Sequence, residues 1–428
     1  MDKDGKNSTV YNKVQHWPPY TYRDYPNVTP ESLQAFEDYL NTDSSQNARK
    51  AIQPWIPFCS GKCIFCYFPT ELVATSNIGY YLSALKKSLN VYAETKYATT
   101  SSFSELYLAG GTPSIMSTEQ TINLLSFCEK KFNLSDDLEI KITGCTHDFD
   151  YRKLKLLSEY GVDQLDLGIQ TFDDNLRRKL NLRDNAKKAK ETIKTARKLG
   201  LRVSIDLMYN LPGQVLGSWI NDIQQALDLN VESTDCYALD VYPETKLPAL
   251  LQSGNLPPMG DQKTEKEMHL EAYRIFQNAG YEPACHNRFS RIAEDFKEPC
   301  VDTLGTGSGF FMGRLGKFSY VDIKPAEAYI DSINHGRLPT AKLSVASIED
   351  EMRKMMMRLY IRLPVNKEEF RKRFGIFPEE AFKTIIHKLE KRGLIEIDEY
   401  EIKLTKLGDV WRYNISCEFS HSSFKEHF

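Results

Sequence analysis

Between residues 51 and 241 the chain repeats one pattern: a short β-rich run, a turn, then a longer stretch with helical spacing. Strands are predicted near 52–58, 105–109, 138–143, 164–169, 202–207 and 235–241, with helices near 77–95, 117–131, 150–160, 186–199 and 214–228 between them. The fourth helix has the sharpest signal. Ala186, Ala189, Ile193, Ala196 and Leu199 recur every three or four residues among Lys and Arg, and Gly200 stops the run. Such alternation calls for parallel βα units, because a parallel pair needs a crossover long enough to hold a helix. The expected fold is α/β, an open, partial (β/α)6 TIM-like barrel. Periodicity alone also admits a complete eight-stranded barrel or a doubly wound sheet. In all of these, ligands collect beyond the C-terminal ends of the strands, so the loops after each strand carry the functional expectation.

Residues 1–50 are polar and turn-rich, with His16-Trp17-Pro18-Pro19-Tyr20 and then Tyr22-Arg23-Asp24-Tyr25-Pro26, and read as an N-terminal wrapping segment. The barrel and a post-barrel segment take 51–344. From about 345 the texture changes. Met352, Met355, Met356 and Leu359 mark one helix, and a second begins near Pro378, burying Phe382, Ile385, Ile386 and Leu389 until Gly393. The runs 394–397 and 401–405 suggest a hairpin, so 345–428 reads as a winged-helix-like α+β domain. Glutamates on its second helix favour a cap on the barrel over DNA binding.

In 428 residues, 41% are hydrophobic and 26% charged, and the apolar runs are too short to span a bilayer. Met1–Tyr11 lacks the apolar core of a secretory signal, and a net charge of -3 exerts no global pull on nucleic acid or anionic lipid. Arg177-Arg178-Lys179 and Lys187-Lys188 read as solvated helix faces. The expectation is a cytoplasmic protein with neither nucleic-acid nor membrane partners. Its nine cysteines are odd in number, and three fall within eight residues, which fits a metal or cluster site in a reducing compartment better than a disulfide scaffold.

Those three are Cys59, Cys63 and Cys66, placed directly after the first strand. The spacing lets one tight loop offer three thiolates to a compact centre. Tetrahedral zinc normally wants a fourth protein ligand, and none is adjacent in sequence. A cubane held by three thiolates keeps one iron open for a ligand. Buried structural cysteines are the remaining reading; Cys128 and Cys236 fall in core patterns, and Cys285 stands beside His286 in a later loop.

The spacing Cys59-x3-Cys63-x2-Cys66 resembles the motif of radical S-adenosylmethionine (SAM) enzymes, and the preceding Ile56-Pro57-Phe58 resembles the oxygen-independent coproporphyrinogen oxidase family. The resemblance runs over residues 50–428. It implies a [4Fe-4S] cluster on the three cysteines and one or two SAM molecules above it. It also implies an electron donor such as flavodoxin or ferredoxin. Leu108-Ala109-Gly110-Gly111-Thr112-Pro113 is similar to the family segment that holds the SAM amino group, Gln170 to a residue near methionine or ribose, and Asp206 to the ribose-binding acid. Phe68, Arg183 and Tyr237 complete the implied cofactor pocket, with Cys236-Tyr237-Ala238-Leu239 matching the run that flanks adenine. Leu304-Gly305-Thr306-Gly307-Ser308-Gly309 resembles a glycine-rich segment after the barrel.

Departures bear on the reaction. The oxidase carries a further cysteine where this chain has Phe68, a Glu at the end of the third strand where Lys141-Ile142-Thr143 stands, and an Arg at the position of Leu182, next to Arg183. These shift the expectation from porphyrinogen decarboxylation toward C-methylation of an sp2 carbon in a conjugated or tetrapyrrole substrate, using a second SAM. Gly313–Tyr320 resembles the post-barrel segment of the anaerobic haem-degrading methyltransferases. Oxidative decarboxylation, radical cyclopropanation and a non-catalytic haem- or cluster-binding chaperone are the alternatives. Tyr22, Tyr25 and His147 are the candidate substrate contacts.

Overall fold

The computed structural model describes residues 10–15, 25–44, 48–72, 77–297 and 300–420. Six parallel strands form its centre in sequential order: β1 (Lys50–Ile56), β2 (Phe103–Gly110), β3 (Leu134–Gly144), β4 (Gln164–Gln170), β5 (Arg202–Tyr209) and β6 (Ser233–Ala238). The helices between them are α1 (Asn77–Ala93), α2 (Thr118–Lys131), α3 (Tyr151–Tyr160), α4 (Ala186–Lys198) and α5 (Leu216–Asp228). Every strand and helix expected from periodicity is present. The ends differ: Pro57, with no N–H for a ladder, separates β1 from a two-residue strand Phe58–Cys59 that pairs with Glu71–Leu72. Gly200 ends the α4 region in the left-handed conformation, as its position suggested.

The sheet does not close on itself. After β6 the helix α6 (Gln262–Asn278) leads into β7 (Glu282–Pro283) and β8 (Arg288–Ser290), and β8 runs antiparallel to β6. On the other flank β9 (Asp302–Thr306) lies parallel to β1, followed by an antiparallel meander of β10 (Gly313–Leu315), β11 (Phe318–Asp322) and β12 (Thr340–Val345). The partial barrel is therefore the curled middle of one 12-stranded sheet. The glycine-rich segment expected after the barrel is, as far as Thr306, a seventh parallel strand. Its composition hid this: a Cβ at Gly305 would come within 2.4 Å of the Phe310 ring and 2.6 Å of the Gln53 carbonyl oxygen, so close packing requires a glycine inside the strand, where it reads as a turn.

The C-terminal α+β region holds helices Ile348–Met357, Lys367–Phe374, Lys383–Lys391 and Arg412–Glu418, with an antiparallel sheet of Val365–Asn366, Glu401–Leu404 and Ile395–Ile397. The hairpin follows the sequence pattern. The helix Lys367–Phe374 was hidden because only Phe370 in it is buried, too thin a stripe to register. Described parts of the lead segment touch both flanks. Asn414 Nδ2 donates to the Lys13 carbonyl at 2.8 Å, Tyr11 meets Trp411 at 5.9 Å, and Phe36 packs 5.3 Å from both Phe318 and Tyr320. Among the described residues no helix is long and apolar enough to cross a membrane.

Candidate active site

The first strand delivers the chain to the C-terminal rim of the barrel, and the cysteine loop begins there. Cys59 Sγ lies 3.0 Å from Thr112 Oγ1 in the turn after β2. Two glycines make this approach possible. Gly111 N donates to the Ile56 carbonyl at 2.7 Å, and Gly110 adopts φ +136°, where a Cβ would sit 2.2 Å from the same oxygen. The loop is strapped from outside by the segment after the short helix Asp174–Lys179. Ile64 N donates to Leu180 O at 3.2 Å, Asn181 Nδ2 to Lys62 O at 2.9 Å, and Arg183 to Ser60 O. Arg183, implied in the SAM pocket, thus stands exposed on the backbone of the cysteine loop. Phe68 stacks on Tyr67 at 4.9 Å and faces Trp55 and Phe311 at 6.3 and 5.7 Å, forming an aromatic wall beside the thiols.

Burial pushes the thiols of Cys59, Cys63 and Cys66 upward, Cys63 to about 12, with the neighbouring sulfurs raising Cys63 further. Thiols crowded in a desolvated loop ionise only when a cation compensates them, which is the situation of metal ligands. Among the described residues no three His, Cys, Asp or Glu side chains surround one point as ligands of a single metal ion would. A cubane makes no such demand, since each thiolate binds its own iron. The donor set therefore fits a cluster with one open iron.

Tertiary structure adds a fourth thiol that the sequence spacing could not reveal. Cys145, at the tip of β3, places Sγ 3.9 Å from Thr112 Oγ1. Its N–H donates to Ser114 Oγ at 2.9 Å, and Ser114 in turn donates to Asp148 Oδ2 at 2.6 Å. His147 follows, with Nε2 2.9 Å from Ser60 Oγ and 3.1 Å from Asp148 Oδ1. The histidine singled out in the sequence is thereby brought onto the cysteine loop.

Strands β4 to β6 supply the opposite side. Gln170 sits at a bulge with φ +65°, and its amide folds back so closely that a Cβ at Gly168 would meet Nε2 at 2.9 Å. Asp206 stands abreast of Gly168 on one side and Asp235 on the other, and Tyr237 abreast of Met208. Tyr107 on β2 feels Asp166, Asp206 and Arg288, two to five strands away, which only the concave side of a curled sheet brings together. Arg288 of β8 donates to Asp235 at 2.9 Å and to Asp295 at 3.0 Å. Burial, then Asp235 and Asp166, hold the Asp206 carboxyl well above the usual carboxylate range, against the pull of Arg288.

One sequence reading is corrected. Arg177 is not on a solvated face but buried, where it donates to the carbonyls of Ile169 and Thr171 at 2.8 and 2.9 Å and pairs with Asp184. It fixes the tip of β4 on either side of Gln170. A six-residue helix has too few turns to show which of three consecutive cations points inward. Tyr25 precedes Pro26, whose carbonyl accepts from Leu343 on edge strand β12. Tyr22 lies outside the described residues.

A curled sheet of parallel strands with a three-cysteine loop after the first of them defines a radical SAM protein. The radical SAM superfamily model matches residues 54–226, and the HemN C-terminal domain model matches residues 348–411. The chain is 30% identical over 374 residues to the heme chaperone HemW of Bacillus subtilis, covering 83% of this chain and 95% of that protein. It is 23% identical to the anaerobilin synthase of Escherichia coli O157:H7, covering 91% and 87% of the two chains. Its fold matches that of coproporphyrinogen III oxidase HemN from Escherichia coli with a TM-score of 0.84 at 20% identity, over 98% of this chain and 99% of the other. The chain belongs to the radical SAM superfamily, in the family of HemN and HemW.

Proposed function

We propose that Cys59, Cys63 and Cys66 hold a [4Fe-4S] cluster and that the protein reductively cleaves SAM bound against Gly110, Gly111, Thr112, Gln170, Asp206 and Tyr237, in the service of a tetrapyrrole substrate. The observation that carries this is the 3.0 Å contact between Cys59 Sγ and Thr112 Oγ1, which joins the cysteine loop to the glycine turn of the expected SAM pocket. When bound, the cluster supplies the electron, delivered by a flavodoxin or ferredoxin, that splits SAM into methionine and a 5'-deoxyadenosyl radical. The residues of the chain do the rest. Gly110 and Gly111 let the turn after β2 close on Ile56 and bring Thr112 to the cysteine loop, where the amino-acid end of SAM is expected. Asp206, pushed toward its protonated form by burial and two neighbouring acids, is the carboxyl for the ribose hydroxyls, a donor and an acceptor when protonated. Tyr67, Phe68 and Trp55 keep water from the loop, while Asn181 and Arg183 hold its backbone. His147, held beside the cysteine loop by Ser60 and Asp148, is the side chain we assign to substrate contact.

A second reading, haem carriage without turnover, is supported by the likeness to HemW and by Phe68 at the position where the oxidase motif has a cysteine. C-methylation draws its support from the likeness to anaerobilin synthase. Anaerobic reduction with SAM, in the presence and absence of haem, separates them. The proposal expects 5'-deoxyadenosine, and labelled methyl in product with S-adenosylhomocysteine would identify methylation, whereas carbon dioxide would identify decarboxylation. Haem binding with no 5'-deoxyadenosine under any condition would overturn cleavage in favour of carriage.

A further inference from the structure

Cys145 belongs to a different strand from the three-cysteine loop, yet the fold brings its thiol to the same place. One hydroxyl measures the approach: Thr112 Oγ1 lies 3.0 Å from Cys59 Sγ and 3.9 Å from Cys145 Sγ. Burial, then Cys63, Asp148 and Cys59, push the Cys145 thiol up, so two of the loop sulfurs stand close enough to act on it. Its backbone is pinned. The Cys145 N–H donates to Ser114 Oγ at 2.9 Å, and Lys153 Nζ donates to the carbonyls of Ser114 and Met116, the second at 2.7 Å. Gly144 lets β3 pass that close, since a Cβ on it would meet Ser114 Cβ at 2.6 Å and the Phe149 ring at 2.7 Å. Cys128 and Cys236, by contrast, are packed in the hydrophobic core, where a small apolar side chain suffices. Cys145 is only half-buried and has a hydroxyl and two sulfurs for neighbours.

A cubane has four irons, and three loop thiolates leave one of them without a protein ligand. A fourth thiol, fixed beside that loop from the tip of β3, is placed for the remaining iron rather than for core packing. The turn it touches is also where the amino-acid end of SAM is expected, so thiol and SAM meet the same iron in turn. We propose that Cys145 ligates the open iron of the cluster while SAM is absent and yields it when SAM binds. On ligation the S–H bond breaks, its proton passes to water and an Fe–S bond forms. When SAM arrives that bond breaks, the amino-acid end of SAM takes the iron, and the thiolate recovers a proton. No electron moves in either direction, so neither step needs an oxidant or a reductant. The inference rests on the cluster reading above and names what holds the fourth iron before SAM does.

The experiment loads the full chain, its Cys145→Ala variant and a Cys300→Ser control with isotopically enriched iron and sulfide under anaerobic conditions. Mössbauer spectra are recorded before and after SAM is added. Cys300 serves as the control because it lies at the other end of the barrel, next to Val301, whose N–H donates to the Arg49 carbonyl before β1 at 3.0 Å. Wild type and Cys300→Ser should show four like irons without SAM, and three like irons plus a distinct one with it. Cys145→Ala should show the distinct iron from the outset, and should bind SAM at least roughly threefold more tightly, because no thiolate has to be displaced. A distinct iron in wild type before SAM, or identical SAM-free spectra in wild type and Cys145→Ala, would overturn the ligation alone. Four like irons that persist with SAM bound, or unchanged SAM affinity in the variant, would overturn the displacement. Where the variant takes up no cluster, the wild-type spectra before and after SAM decide between these outcomes. Absence of a four-iron cluster from the wild-type chain would overturn the cluster reading and this inference together.

Discussion

Gly111 and Cys59 interlock at the barrel rim: a Cβ on Gly111 would stand 2.9 Å from Cys59 Sγ, with Thr70 Cγ2 at 2.8 Å behind it. Gly111→Ala must therefore displace the first cysteine or the turn that supports it. The expected outcome is loss of most of the bound iron with an unchanged far-ultraviolet circular dichroism spectrum. Gly79 in α1 is the control, since a Cβ there meets nothing within 4 Å. Gly79→Ala should keep its iron and gain roughly 0.5–1 kcal/mol in stability, because alanine loses less backbone freedom on folding. Full iron content in Gly111→Ala would refute the interlock.

Arg177 and Asp184 form a buried pair, and removing the cation strands the carboxylate. Arg177→Met should cost about 3–5 kcal/mol in urea unfolding of the full chain. It also frees the carbonyls of Ile169 and Thr171, so SAM affinity should fall in the fraction that stays folded. A cost below about 1 kcal/mol, the range of an exposed ion pair, would contradict the burial described here.

Burial, Asp235 and Asp166 push the Asp206 carboxyl toward its protonated form. An amide then imitates it, so Asp206→Asn should bind SAM within a few-fold of wild type near neutral pH. Asp206→Ala removes both polar atoms and should weaken binding by about 1–3 kcal/mol. Equilibrium dialysis against the cluster-loaded protein checks both, and equal losses in the two variants would show that the charge matters.

Asp322 on β11 accepts from Thr306 Oγ1 at 2.7 Å and from Gly307 N at 3.1 Å, yet burial pushes it up to about 8 from an ordinary 3.8. Between those values the folded chain keeps a proton that the unfolded chain has released. The stabilisation is complete below the lower value and is lost as pH rises through the upper one. The slope approaches about 1.4 kcal/mol per pH unit inside the window. Urea midpoints should fall from pH 6 to pH 8 in the wild type and much less in Asp322→Asn; parallel falls would locate the effect elsewhere.

Much of the scaffold was legible because its signals are local. The stripe of Ala186, Ala189, Ile193 and Ala196 declares α4 within four turns, and each parallel strand reads as a short apolar run between a helix and a polar turn. Gly305 in β9, and the glycines just after it, weakened that signal, since close packing against Phe310 leaves no room for a side chain at Gly305. Arg177 was misread for the opposite reason: three consecutive cations look alike until the fold buries one.

The sequence by itself determined the order of βα units, the three-cysteine loop after β1 and the glycine turn after β2. Each is written in spacing within a single element, where backbone periodicity and steric freedom act over a few residues. Tertiary structure alone decided that Cys145 and His147 join that loop and that Asp235 stands beside Asp206. These are matters of register and sheet curvature. Both are set by packing between strands far apart in the chain, so no local run of residues records them.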